Sequence, residues 1–448
     1  MIQGRTQSTK WILVPTTLII SAFFFFKDDV GAIAKNTELP LNKPSEARKI
    51  IAASLEKEFL FNKLPEKLKL TDQSLDSKSG HALSVTARYS FESELQNEAT
   101  KLLQRYKPDY GAIVMMDAKT GQVLAMSSFI KTEPAGQNLN LRATFPAASI
   151  FKIITAATAV DRKGVDPHHQ IAFNGGNYTL YKKNVLSERI TKWTRFITLK
   201  DAFAKSINTA FGRLTLENID PHDLSEYAKR FMFNKYIPAD FNVEFSQASI
   251  PEEKGFELTQ VASGYNRFNT LSPVHGAMIA GAIINDGKFV APYIVDELVS
   301  ENDNVVYKAE PYEIGQAITA ESAKKVREMM EQTVLAGTSR KTFRQILKDK
   351  KFREVEMGGK TGHFSGLNPR GRNDWFVGYA SDGDNKVAIA AITVNVKKWT
   401  VKSSALAEMM FRKHFKTILE EKEISKKLNQ QQQDNDQTLL VETKPHKI

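Results

Sequence analysis

A chain of 448 residues that is 42% hydrophobic and 25% charged has an ordinary globular composition and is long enough for two or three domains. Its 62 Lys and Arg outnumber its 51 Asp and Glu, a formal net charge of +11, which suits an anionic partner such as nucleic acid, a membrane surface or an acidic polymer without choosing among them. There is no cysteine, and the 8 histidines form no HExxH pair, so disulfides, thiolate zinc sites and cysteine nucleophiles are excluded.

The first element is "WILVPTTLIISAFFFF", Trp11–Phe26, apolar and uncharged, with Arg5 and Lys10 before it and Asp28 and Asp29 after. This is the pattern of an export segment. A helix of that length reaches about 24 Å, short of a hydrocarbon core of roughly 30 Å, so a single-pass anchor has to recruit flanking residues. The small-residue tract Ala32-Ile33-Ala34 offers the competing reading, a cleaved signal peptide. Either reading sends the rest of the chain out of the cytoplasm, because the positive flank stays inside.

Residues 1–35 are therefore expected to be a cytoplasmic tip with an anchor or signal. Residues 36–84 carry apolar positions at helical spacing between prolines and then a polar run, and read as a helical stalk and linker. A large folded unit is expected over 85–419. It opens with "YGAIVMMDAKTGQVLAMSSF", two β-prone runs joined by a polar turn in which Gly121 supplies the positive φ. A long middle, from about residue 150 to 284, has small and apolar residues at helical spacing. Another helix candidate, "ESAKKVREMMEQTVLAG", precedes three strand candidates, "REVEMGGKTGH", "DWFVGYAS" and "KVAIAAITVN". Two strands early, three late and helices between predict an α+β fold in which the sheet's halves meet across a helical insertion. Residues 420–448 are too polar to bury a core and are expected to be disordered.

The chemistry is sought in short patterns that are weak singly. SxxK occurs at Ser54, Ser128, Ser149 and Ser322. Only Ser149 follows a turn-like "FPAA" and opens an apolar-periodic helix, where free N–H groups and the dipole favour developing negative charge. Lys152 lies one turn along the same face and can take the Ser149 proton, provided burial or a nearby cation lowers its pKa from roughly 10.4. Ile150, Ile153, Ile154 and Ala157 supply that burial. Ser206-Ile207-Asn208 sits in the helical region, whereas the second SxN, at Ser300, lies in a polar loop. Lys360-Thr361-Gly362 sits on a strand whose Gly358 and Gly359 permit close approach of another backbone; the earlier copy, at Lys119, is the hairpin turn.

In the order SxxK, SxN, KTG these elements resemble the penicillin-binding transpeptidases of the serine acyl-transferase superfamily. The resemblance runs from about residue 84 to 414 and includes "LTQVASGYNRFNTLSPVHGAMIAGAIINDGKFVAP", "MMEQTVLAGTSRK" and "DWFVGYA". It implies a five-stranded antiparallel sheet flanked by helices, with an all-helical lobe. It implies acylation of Ser149 by a D-alanyl-D-alanine stem peptide of peptidoglycan and transfer to a neighbouring amine, with β-lactams as covalent inhibitors. Lys152 would activate Ser149, Ser206 would relay a proton to the leaving amine, and Asn208 would hold Lys152 and the substrate amide. Lys360 and Thr361 would bind the terminal carboxylate, and the N–H groups of Ser149 and His363 would form the oxyanion hole beside Gly362. No metal, cofactor or nucleic acid is implied. One departure stands out: His363 occupies a position where most such transpeptidases carry Thr or Ser, as in small D,D-carboxypeptidases, and either adds a cation or lines the strand.

Rivals on the same fold are a D,D-carboxypeptidase, a β-lactamase and a penicillin-binding sensor or scaffold without turnover. A P-loop is excluded because GxxxxGK[ST] needs glycine where Glu354 stands and a helix where "HFSGLNPRG" breaks one. The three charges of "NPRGRND" without interleaved aromatics do not make a nucleic-acid loop. Too few residues precede the catalytic unit for a glycan-polymerising domain, so polymerisation is assigned to a separate partner.

Overall fold

The computed structural model describes residues 41–442, apart from 42, 72–81 and 134–135. The apolar segment Trp11–Phe26 lies outside them. Among the described residues no helix is long and apolar enough to cross a membrane.

The centre is an antiparallel sheet of five strands in the spatial order Glu356–Leu367, Arg370–Ser381, Lys386–Asn395, Tyr110–Asp117, Val123–Ile130. The early hairpin and the late meander meet where Lys386–Asn395 pairs with Tyr110–Asp117, Ala391 opposite Ile113, as the order of strand signals predicts. The hairpin turn is capped by Asp117, whose Oδ1 accepts from the Lys119 and Thr120 N–H groups, and Gly121 takes φ +83°. That settles the first KTG as a structural turn.

One face of the sheet packs on the helices Ser93–Tyr106, Arg340–Lys348 and the start of Ser403–Glu442, through a core that includes Leu95, Leu102, Phe343, Phe376 and Phe411. The other face packs on the helix Pro273–Ile284, every residue of which is buried. Its glycine Gly276 brings that helix against Val377 and Ala390, where a Cβ would stand 3.1 Å from Val377. A helix apolar on all sides requires such full enclosure.

The excursion from Ala148 to Ile284 departs from an all-helical lobe: the strand Gln170–Phe173 pairs with Arg195–Thr198 inside it. A second sheet, not foreseen, has four strands in the order Lys67–Thr71, Ala82–Tyr89, Val295–Ser300, Val305–Lys308. It draws half of the expected stalk into the folded unit. The helix Pro44–Phe59 is docked as well, because Arg48 is buried and its guanidinium donates to the carbonyls of Pro292 at 2.9 Å and Glu310 at 3.0 Å.

The expected disordered tail is corrected too. The helix that begins at Ser403 continues to Glu442. Its first turns bury Leu406, Met410, Phe411 and Phe415, so the costly nucleus already exists, and the Gln, Glu, Lys and Leu residues that follow are good helix formers that need no core to extend it.

Near Arg48 the buried Asp240 carboxylate accepts from the N–H groups of Ile294 and Val295. Burial raises its pKa to about 6, and Arg48 offsets part of that rise. A carboxyl with a raised folded pKa contributes stability that is fully present below the unfolded value and is lost as pH rises through the folded one. Arg48→Met therefore leaves buried carbonyls unpaired and should cost about 2–5 kcal/mol. The loss should be larger at pH 8, where Asp240 is ionised, than at pH 4, as read by urea unfolding at the two pH values.

Candidate active site

The SxxK motif is presented on a strained turn. Ala148 has φ +48°, a conformation uncommon for a residue with a Cβ. The chain then runs as a 3-10 turn over Ala148–Phe151 and an α-helix over Lys152–Ala157. Ser149 is half-buried, while Ile150, Ile153, Ile154 and Ala157 are fully buried, supplying the burial that the sequence predicts around Lys152. Gly264 braces the turn from outside: a Cβ there would stand 1.8 Å from the Ala148 carbonyl oxygen, and its φ is +64°.

The Lys152 amine is wholly buried and has three partners: Ser149 Oγ at 2.9 Å, Asn208 Oδ1 at 2.7 Å and the Ser263 carbonyl at 2.5 Å. Asn208 begins the helix Asn208–Asn218, and its own amide donates to the Tyr178 carbonyl at 3.0 Å. Ser206 sits in the connection from the preceding helix Leu199–Ala204 with φ +54°. Its hydroxyl accepts from Lys360 Nζ at 2.9 Å, and Lys360 also donates to the Thr361 carbonyl. SxxK, SxN and KTG are thus brought together through the Lys152–Asn208 and Lys360–Ser206 contacts.

Lys360-Thr361-Gly362 lies on the sheet's edge strand Glu356–Leu367, which leaves alternate backbone groups without a strand partner and available to an extended peptide. The paired glycines have a different use from the one expected. A Cβ at Gly358 would meet the Tyr379 ring at 2.5 Å, and one at Gly359 the Phe376 ring at 2.3 Å, so they admit aromatic rings of the neighbouring strand. Gly362 is the point of close approach to the nucleophile turn, where a Cβ would stand 3.2 Å from the Ile150 side chain and 3.3 Å from the Ala148 Cβ.

Residues that sequence reasoning missed hold this arrangement. Thr338 shares a 2.6 Å hydrogen bond with Thr361 and donates its N–H to the Ala204 carbonyl, tying the KTG strand to the approach to Ser206. Its signal was the "AGTSRK" segment, whose glycine, Gly337, leaves no room for a Cβ beside Ala204. Ser263 and Gly264 lie in "VASGYN". Asp374, a buried residue, holds His363 Nε2 at 2.7 Å, and Trp399 lies against the imidazole at 5.7 Å between centroids. Asp374 also accepts the Ser403 N–H at 2.7 Å. His363 is thus an anchored, half-exposed side chain next to the motif.

The electrostatics follow from burial. Lys152 is pushed well below the ordinary lysine range by desolvation first and by the Lys360 cation second; burial alone lowers Lys360 to about 7. Phe211 lies 5.4 Å from Lys152 Nζ and Phe203 5.5 Å from Lys360 Nζ, measured to the ring centroids, and among the described residues no carboxylate bonds to either amine. A neutral Lys152 has two N–H groups and one lone pair. Asn208 and Ser263 present oxygens that only accept, so they take the two N–H groups and leave the lone pair for the Ser149 hydroxyl. The arrangement makes a base and nucleophile pair for acyl transfer, with Ser206 and Lys360 as a second proton-carrying pair.

The arrangement is of the serine acyl-transferase type. The chain belongs to the penicillin binding protein transpeptidase domain family, whose model matches residues 111–416. Among curated proteins it is 25% identical over 315 residues to stage V sporulation protein D of Bacillus subtilis, covering 67% of this chain and 46% of that one. It is 25% identical over 323 residues to the peptidoglycan D,D-transpeptidase PbpA of Mycolicibacterium smegmatis, covering 64% and 62%. The chain thus spans about half to three-fifths of the length of these relatives. Among solved structures, the D,D-transpeptidase domain of a peptidoglycan glycosyltransferase from Eggerthella lenta aligns with a TM-score of 0.60 at 23% identity, over 77% of this chain and 85% of that one. The imipenem acyl-enzyme of penicillin-binding protein A from Mycobacterium tuberculosis gives 0.60 at 21% identity, over 74% and 80%. These two likenesses establish the α+β fold.

Two outcomes follow from the geometry. Gly264→Ala forces the Ala148–Ser149 peptide to move, and a displacement near 1 Å costs about 100-fold in rate; acylation by a fluorescent penicillin should slow by that order while the folded circular dichroism spectrum is kept. Lys360→Met removes the cation that lowers Lys152, so the pKa of Lys152 rises. The acidic limb of the acylation–pH profile should move to higher pH in stopped-flow measurements, and a limb that stays in place would contradict the charge effect.

Proposed function

We propose that this chain is a peptidoglycan D,D-transpeptidase that works through a Ser149 acyl-enzyme and is inhibited by β-lactams. The observation that carries the reading is the three-partner arrangement of Lys152, with Ser149 Oγ at 2.9 Å as its one hydroxyl. Neutral Lys152 removes the Ser149 proton as Oγ attacks the carbonyl of the D-alanyl-D-alanine bond. The backbone N–H groups of Ser149 and His363 receive the developing oxyanion, an interaction typically worth about 3–4 kcal/mol per donor. Ser206 passes a proton to the departing D-alanine amine and is resupplied by Lys360. Lys360 and Thr361 hold the terminal carboxylate, and Asn208 orients both Lys152 and the substrate amide. An amine of a second stem peptide then attacks the ester and gives up its proton through Ser206 to Lys360, while the proton held on Lys152 returns to Ser149 Oγ as the ester bond breaks, which forms the cross-link and restores the site.

The N-terminal segment Trp11–Phe26 supports a single-pass anchor with the catalytic unit outside the cytoplasm. The His363–Asp374 pair favours one second reading, hydrolysis of the same acyl-enzyme as a D,D-carboxypeptidase, since a fixed imidazole beside the site can serve a water as well as an amine.

Fluorescent penicillin should label the intact chain in a single covalent adduct, and Ser149→Ala should abolish the label. Labelling that persists at the wild-type rate would remove Ser149 from the mechanism. With stem pentapeptide and an amine acceptor, cross-linked product should exceed free tetrapeptide; tetrapeptide alone would replace transfer by hydrolysis.

A further inference from the structure

The residues between Asn174 and Thr198 form an excursion that the mechanism does not use. They contain Lys182, Lys183, Arg189, Lys192 and Arg195 against the single carboxylate Glu188. They also expose an unusual amount of apolar surface: Trp193 is 77% exposed, Ile190 67%, Tyr178 65%, Phe196 59% and Tyr181 58%. Large aromatic side chains in soluble proteins are mostly covered, and a concentration of them rimmed by cations marks a contact surface.

The excursion is a built structure. Its ends pair as strands, Ala172 opposite Phe196. Asn174 donates to the Arg189 carbonyl at 3.2 Å and accepts from Thr194 Oγ1 at 2.8 Å, and the Arg195 guanidinium donates to Asn177 Oδ1 at 2.8 Å while lying 4.3 Å over the Phe173 ring. Lys192 Nζ lies 5.2 Å over the Trp193 ring. The aromatic and basic side chains are therefore carried by one compact element.

That element hangs on the catalytic helix. Asn208 donates its backbone N–H to the Asn177 carbonyl at 2.8 Å and its side-chain amide to the Tyr178 carbonyl at 3.0 Å, while Thr209 donates to the Gly176 carbonyl at 2.8 Å. The backbone of Tyr178 is thus one side chain away from Lys152. The element therefore borders the site at Asn208.

We propose that residues 174–198 form a docking surface for the glycan–peptide strand to which the reacting stem peptide belongs. The inference rests on the function proposed above. Such a strand carries repeated free carboxylates, complementary to the five cations, and sugar faces that stack on exposed aromatic rings. Continuity with the cleft favours it over a lipid bilayer, which is the other partner that aromatic and basic side chains together can serve.

The test uses the full chain in detergent with Ser149→Ala, so that no acyl-enzyme forms, and measures co-sedimentation with purified insoluble peptidoglycan and, separately, with vesicles containing anionic lipid. Adding Lys182→Ser, Lys192→Ser and Trp193→Ser should lower the peptidoglycan-bound fraction at least fivefold, leave vesicle binding unchanged, and reduce the salt sensitivity of the remaining binding. Unchanged peptidoglycan binding overturns the proposal, and so does a loss confined to vesicles, which would assign the surface to the membrane. The triple variant with Ser149 intact is also labelled with fluorescent penicillin: labelling at the wild-type rate shows a folded cleft, whereas a parent chain that never labels fails the function reading and not this one.

Discussion

The whole site depends on keeping one amine uncharged. An ammonium group buried without a carboxylate is costly, and Lys152 is fully buried with only a hydroxyl and two carbonyl oxygens around it. Loss of the proton removes that cost, burial pushes the pKa in that direction, and the same oxygens fix where a lone pair on the neutral amine points. Desolvation creates the base, and the two acceptors aim it. A second buried lysine, Lys360, strengthens the effect by like-charge repulsion while its own pKa falls only to about 7, leaving it able to serve as a cation and a proton source at neutral pH.

The scaffold exists to bring the parts of this arrangement from four distant places. The nucleophile turn comes from the start of the excursion, Asn208 from its middle, Ser263 from the loop before the buried helix, and Lys360 from the edge of the sheet. Each is locked by backbone features that tolerate little change. Positive φ at Ala148, just before the SxxK serine, and at Ser206 places strain at the site, as expected where geometry matters more than local stability. Gly264 and Gly337 let loops touch backbone carbonyls of the turns they support, and Thr338 pins the strand to the helix end beside Ser206. The helix Pro44–Phe59 and the strand Lys67–Thr71 add to this body instead of standing apart from it, because Arg48 fastens the helix through main-chain acceptors.

Much of this was legible in the sequence, for physical reasons that differ by element. The sheet was readable because strand signals two early and three late leave few ways to close a hairpin and a meander into one sheet. The motif residues were readable because three weak patterns in one order are specific together. What the sequence could not reveal were partners defined only by tertiary contact. Asp374 looks like any polar residue at a strand start until His363 is seen opposite it in register. Ser263 acts through its carbonyl, which carries no side-chain signature. The docking of residues 44–59 rests on Ile51, Leu55 and Phe59, whose helical spacing is visible in the sequence, and on Arg48, whose acceptors on Pro292 and Glu310 are defined only by the fold. The long helix to Glu442 depends on a nucleus set by Met410, Phe411 and Phe415, outside the polar stretch it organises.

The central claim is that Lys152 is a neutral amine at neutral pH. Its most direct test is a carbon NMR titration of the chain carrying lysine labelled at Cε, with the Lys152 resonance assigned by its absence in Lys152→Met. The Lys152 resonance should already be in the neutral-amine position at pH 7.5. A Lys152 signal that instead titrates near the ordinary lysine value of about 10.4 would contradict it.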